Sequence, residues 1–219
     1  MIDSDPERNL TILRSILPVS RETEARLRIH VELLRRWQPR INLVAPKTLP
    51  DVWLRHVADS AQALAAVPDA RLWLDLGSGA GFPGLVTAAF LADVEGAKVT
   101  LVESDQRKAA FLKTVIREAG LPAEVIVERI EAVVPGWSAP IEAISARALA
   151  SLSELCALIL PLFHHSVTGV FHKGRDFSRE LEEANRTYRF NLVKMASKID
   201  PDSKIVLIRG LTRRESEVD

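Results

Sequence analysis

Between Leu72 and Gly84 the chain reads LWLDLGSGAGFPG: an apolar run, one acid, then four glycines within eight positions. A buried strand that ends in so many glycines gives backbone able to take positive φ and to approach another molecule closely. Pro83 suits the first turn of a following helix, where its missing N–H costs least. The run therefore predicts strand, tight loop and helix start near Phe82. Asp75 stands at the carboxyl end of that strand, the edge where open α/β sheets place their ligands.

The segments after Arg71 alternate in the same sense. WLDL precedes Leu85 to Leu91, KVTLVE precedes Gln106 to Ala119, and VIVE follows; IEAISA precedes Leu152 to Leu162, and TGVFH precedes Phe177 to Phe190. Strand and helix in repeated alternation imply parallel pairing with right-handed crossovers. NLVKMA and KIVLIR, by contrast, are separated by a turn containing Asp200, Pro201 and Asp202, which predicts an antiparallel hairpin at the end of the sheet. An α/β fold with a mostly parallel seven-stranded sheet finished by such a hairpin resembles the Rossmann-like class I S-adenosylmethionine-dependent methyltransferases.

Residues 1–66 read as an N-terminal helical extension. Asp5 with Pro6 marks one helix start, Ser20 opens a second with Leu27, Val31 and Leu34 on one face and a stop near Pro39, and a third carries Trp53, Val57 and Leu64 from near Pro50. Residues 67–211 form the expected methyltransferase domain, and 212–219, TRRESEVD, read as a disordered tail.

Composition excludes several classes. The single Cys156 rules out an internal disulfide framework and a cysteine-rich zinc site, and its apolar surroundings make it a core residue. The five histidines, at 30, 56, 164, 165 and 172, show no metal spacing, so no metal is expected. No apolar run approaches the roughly 20 residues that span a bilayer, and the first residues lack the pattern of a secretory signal. A cytoplasmic protein without membrane contact is expected, and nothing demands more than a monomer. With 29 basic and 29 acidic residues there is no global pull toward a polyanion, although the acidic excess falls in the middle of the chain and the basic excess at its ends.

The glycine loop alone leaves two cofactors open, because Gly79, Gly81 and Gly84 also satisfy the dinucleotide pattern GxGxxG. Glu103, ending the second strand, suits the ribose hydroxyls of either. Gly77 with Asp75 before it favours S-adenosylmethionine, whose amino acid end the acid would help to hold; a dinucleotide needs its pyrophosphate at a helix N-terminus. Main chain at Ile130 and Glu131, leaving the third strand, could read an adenine edge.

Taken together, NLV at 42–44, RHVADS at 55–60, LDLGSGAGFPG at 74–84, LVES followed by RKAAFL at 107–112, ERIE at 128–131, ISARAL at 144–149 and HKG at 172–174 resemble the glucose-inhibited division protein B family, the small-subunit rRNA methyltransferases G, over roughly residues 27–210. The resemblance implies methyl transfer from S-adenosylmethionine to N7 of one guanine in the 530 loop of 16S rRNA, within the small ribosomal subunit or an assembly intermediate. It also implies cofactor contacts at Gly77, Phe82, Ile130, Glu131 and Arg147. N7 carries a free lone pair, so no general base is required and positioning carries the catalysis.

Arg147 and Lys173 are the candidate catalytic residues. Arg147 would emerge beside the cofactor and pair with its carboxylate or with guanine O6; Lys173, ending the TGVFH strand, would meet phosphate or the target base. His56 and Asp59, three apart, either line the entrance or pack. Arg28, Arg35, Arg36, Arg40 and Lys47 could form a basic strip beside Trp37, which either stacks on a base or anchors its helix. A nicotinamide-dependent oxidoreductase and a non-catalytic RNA-binding domain are the alternatives from other classes.

Overall fold

Strand β1 (Leu72–Leu76) shows how the sheet is built: Trp73 and Asp75 point to one face, Leu74 and Leu76 to the other, and all four are buried, as a strand covered on both sides requires. In a computed structural model, which describes residues 6–163 and 166–215, the strands β1, β2 (Lys98–Val102), β3 (Ala123–Ile126), β4 (Ala143–Arg147), β5 (Thr168–Lys173), β6 (Tyr188–Ala196) and β7 (Lys204–Arg213) form one sheet in the order β3-β2-β1-β4-β5-β7-β6. The first five pair in parallel; β7 pairs antiparallel with both β5 and β6. The order reverses between β1 and β4, so the loops after those strands diverge and leave a crevice.

Helices α1 (Pro6–Arg14), α2 (Arg21–Trp37), α3 (Asp59–Ala66), α4 (Gly84–Leu91) and α5 (Gln106–Ala119) cover one face. Leu27, Val31 and Leu34 of α2 are buried there with Val99 and Leu101 of β2, so the N-terminal helices share the sheet's core. Ser20 caps α2 by accepting from Thr23 N, and Gln38 ends it by accepting from Leu43 N and Val44 N, which folds the following loop back. The short α6 (Ile130–Val133), then α7 (Leu152–Ile159) and α8 (Phe177–Thr187) cover the opposite face, where Cys156 is buried among Leu155, Phe171 and Phe177.

Four predicted boundaries differ. The helix expected from near Pro50 is a 3-10 segment at Pro46–Asp51, a π-helical turn at Trp53–Ala58 and then α3, since two prolines withhold the N–H groups a continuous helix needs. Pro161 ends α7 at Ile159 in the same way, leaving a 3-10 turn to Leu162. Helix α8 stops at Thr187 because Tyr188 is buried and extended and opens β6. Thr212 and Arg213, expected in a disordered tail, instead pair with Arg189 and Tyr188, and Arg214 N donates to Thr187 O. Asp5, His164 and His165 and the last four residues lie outside the described part.

Candidate active site

The loop after β1 is shaped by what a side chain would strike. Gly77, Gly79 and Gly81 have φ of 66°, 54° and 84°. A Cβ at Gly77 would stand 2.7 Å from Leu149 Cδ1; at Gly81 it would run into Leu85; at Gly84 it would run into Leu101 and stand 2.6 Å from Asp75 Oδ2. Gly79 differs, since a Cβ there would meet only Gly77 O, at 3.8 Å. Gly81 and Gly84 therefore permit packing within the protein, whereas Gly77 and Gly79 wall a cavity of about 570 Å3 at the carboxyl edge of β1 and β2.

Glu103, Ile130 and Glu131 line that cavity, with Lys108 of α5, Arg129, and Leu149, Glu154 and Leu158 on the β4–α7 side. Glu103 is buried, its two oxygens accepting from Gly79 N and Asp105 N, each at 2.8 Å, so one carboxylate fixes the glycine loop to the start of α5. The α7 wall was missed in the sequence, although Ser151 and Glu154 spell a capping box that marks its start: Glu154 N donates to Ser151 Oγ, and Ser151 N to Glu154 Oε2.

Asp75, Gly81, Phe82 and Arg147 do not line this cavity. Asp75 is 1% exposed; Ser145 Oγ donates to its Oδ1 at 2.6 Å, and its Oδ2 lies against Gly84 at the start of α4. Burial raises its pKa to about 6, against the Ser145 hydrogen bond that lowers it. Phe82 is held between two imidazoles, its ring centroid 4.8 Å from that of His30 and 5.0 Å from that of His56. Those histidines are structural: burial lowers their pKa values to about 4 and about 3, His30 Nε2 is bonded to Ala80 O, and His56 Nε2 to Thr48 Oγ1.

Arg147 turns to the α3 side, into a second, smaller cavity of about 200 Å3 lined by Arg55, Asp59, His172 and Asp200. Its Nη2 donates to Arg55 O at 2.8 Å and lies 3.4 Å from Asp59 Oδ2; burial lowers its pKa, against the raising effect of Asp59. Asp59 is held by Gln62 Nε2 and Ser197 Oγ, and its carbonyl by His172 Nε2 at 3.0 Å. His172 is buried, and burial lowers its pKa; because Asp59 O can only accept, Nε2 carries the proton of that hydrogen bond. Lys173 points to the opposite face and is 6% exposed; its Nζ donates to Ala150 O and to Glu180 Oε2, both at 2.7 Å, and Glu180 Oε2 also accepts from Leu152 N. Lys173 thus fastens the start of α7 through its ammonium while also lining the smaller cavity. Between the two cavities runs Ala148, left-handed at φ 51°.

The donor set of the larger cavity suits a cation better than a pyrophosphate: Glu103, Glu128, Glu131 and Glu154 face it against Lys108 and Arg129. Asp75 Oδ2 is buried beside Gly84 at the start of α4, so a carboxylate stands where a dinucleotide would place its phosphates. The residues therefore fit S-adenosylmethionine, whose sulfonium and ammonium groups are positive. Among the described residues no group of His, Cys, Asp and Glu could hold a metal ion, and no helix is long and apolar enough to cross a membrane.

Residues 23–208 match the profile of the family described as rRNA small subunit methyltransferase G, GidB. The chain belongs to that family. A ribosomal RNA small subunit methyltransferase G from Rhizobium meliloti (strain 1021) is 45% identical over 209 residues, 94% of this chain and 98% of its own length. One from Brucella canis is 45% identical over 203 residues, covering 92% and 95%. Among solved structures, the SAH-bound methyltransferase PaMTH1 of Podospora anserina superposes with a TM-score of 0.61 at 12% identity over 89% of this chain and 97% of its own. Cofactor-bound Rv0187 from MTB does so at 0.58 and 14% identity, over 93% and 96%. These two share the fold with family members such as this one.

Proposed function

We infer that this chain is an S-adenosylmethionine-dependent methyltransferase acting on N7 of a guanine in the 530 loop of 16S rRNA, as a monomer, in the cytoplasm where small subunits are assembled. The observation that carries the reading is the pairing of two cavities across Ala148 in a chain of this family: one acid-lined and glycine-walled, the other bearing Arg147. S-adenosylmethionine supplies the methyl group. Gly77 and Gly79 leave room for it, Glu103 holds the loop that receives it, and main chain near Ile130 and Glu131 meets the adenine. Guanine N7 presents a lone pair at neutral pH, so the residues need only orient it. Arg147, held by Arg55 O and Asp59, would pair with guanine O6 and leave N7 free. Lys173 acts as a positioning residue, because its ammonium is consumed by Glu180 and Ala150.

The test uses 30S subunits and naked 16S rRNA from cells lacking the gene, labelled methyl donor, and mass mapping of methylated guanines. One labelled 7-methylguanosine in the 530 loop is expected. Absence of label in both substrates would overturn the reading in favour of a binding module, and micromolar NAD affinity without S-adenosylmethionine affinity would overturn it in favour of an oxidoreductase.

A further inference from the structure

A cleft of about 440 Å3 lies outside both cavities, between the end of α2 and the first turns of α5, and is lined by Trp37, Arg40, Ile41, Gln106, Arg107 and Ala110. Trp37 packs against the core, with an edge contact to Phe111 at 5.9 Å, and its indole is only partly buried. Ile41 and Ala110 complete an apolar floor and wall. Arg40 and Arg107 are exposed, and no acid lines the cleft; the nearest partner of Arg107 is the helix-capping Asp105, at 4.0 Å. The neighbouring groove on the other side of Trp37 has a different character, since Glu32 and Glu118 line it and Glu118 pairs with its Arg117 at 2.9 Å.

An aromatic face, an apolar floor and two arginines without an opposing acid in the cleft match the chemistry of one unstacked nucleotide: a π-face for the base and positive charge for phosphate. Arg107, lining the cleft, and Lys108, lining the larger cavity, follow one another in the first turn of α5. We propose that this cleft is an RNA-docking site in which an unstacked base of the substrate lies against Trp37 and Ile41 while flanking phosphates meet Arg40 and Arg107. The proposal rests on the reading of this chain as an rRNA methyltransferase. It adds a contact by which the substrate is gripped away from the methylated base.

The test measures filter binding of labelled 16S rRNA across salt concentrations, alongside methyl transfer and S-adenosylhomocysteine affinity. The Arg40→Ala/Arg107→Ala variant alters only exposed side chains, so its folding is not at issue. Its salt slope is expected to fall by about 1.4, two phosphate contacts on a single strand, with cofactor affinity unchanged. Trp37→Leu is expected to weaken RNA binding about tenfold, and Trp37→Phe, which keeps a stacking face, to restore most of it. An arginine variant with wild-type slope and RNA affinity would overturn the proposal, whatever Trp37→Leu does. If the unmutated chain binds rRNA but transfers no methyl group, the catalytic reading fails while the arginine and Trp37 measurements still decide the cleft.

Discussion

Replacing Gly77 with alanine separates a cost to folding from a cost to the ligand. At φ 66° a non-glycine residue pays about 1–2 kcal/mol for the left-handed conformation, and stiffening of the unfolded chain offsets about 0.4–1 kcal/mol of that. The new Cβ would stand 2.7 Å from Leu149 Cδ1, about 1 Å short of ordinary contact. Leu149 is a flexible side chain on the cavity wall, so in the free protein it yields into open space. The net loss of stability is therefore about 1 kcal/mol, a fall of about 2–4 °C in Tm for a chain of this size. A bound ligand fills that space, so overpacking of about 1–3 kcal/mol falls on the complex and weakens binding roughly 5- to 150-fold. Differential scanning calorimetry and titration with S-adenosylhomocysteine measure the two terms separately. Affinity within twofold of the unmutated chain, with the expected loss of Tm, would refute the assignment of the Gly77–Leu149 wall to the ligand.

Three further outcomes follow from other contacts. Gly84→Ala is expected to lose about 1–3 kcal/mol of stability, because its Cβ strikes buried Leu101 and Asp75; calorimetry showing less than about 0.5 kcal/mol would contradict that packing. Asp75 has a folded pKa raised from an ordinary 3.8 to about 6, so the folded state binds its proton more tightly, and the group's contribution is most favourable in acid and is lost as pH rises from about 4 to 6. Asp75→Asn should remove that dependence, worth about 3 kcal/mol at most, and leave stability at pH 7 equal or higher; an unchanged profile of urea midpoint against pH would count against burial as the cause. Glu180→Ala strands the buried Lys173 ammonium and Leu152 N, so about 3 kcal/mol of stability should go, with Glu180→Gln keeping more than half of it.

The alternation of strands and helices, the closing hairpin and the helix with Leu27, Val31 and Leu34 were legible because each rests on local periodicity. The larger cavity was half legible. Gly77, Gly79, Glu103, Ile130 and Glu131 are set by motifs at strand ends, and a motif reports where the backbone turns. Side-chain direction was harder to read. Phe82 follows the glycines but turns between His30 and His56, partners 52 and 26 residues away in sequence that only the packed helices bring together. Arg147 and Lys173 end neighbouring strands, yet their register in β4 and β5 sends one toward α3 and the other toward α7 and α8. A one-residue offset in a strand exchanges the two faces, and nothing in the sequence around either residue states which face holds the ligand.

The division between the cavities bears on why no general base is needed. A left-handed alanine costs about 1 kcal/mol and persists only where its surroundings fix it. Here both flanks are fixed: Arg147 is tied to Arg55 O and Asp59, while Ala150 O is tied to Lys173 and Ser151 closes the capping box with Glu154. The segment between the two cavities is thus held from the α3 side by one cation and from the α8 side by another. A reaction whose nucleophile already carries its lone pair gains mainly from a fixed distance and angle between two bound molecules. The charges of Arg147 and Lys173 go into holding the chain on either side of Ala148 rather than into moving protons.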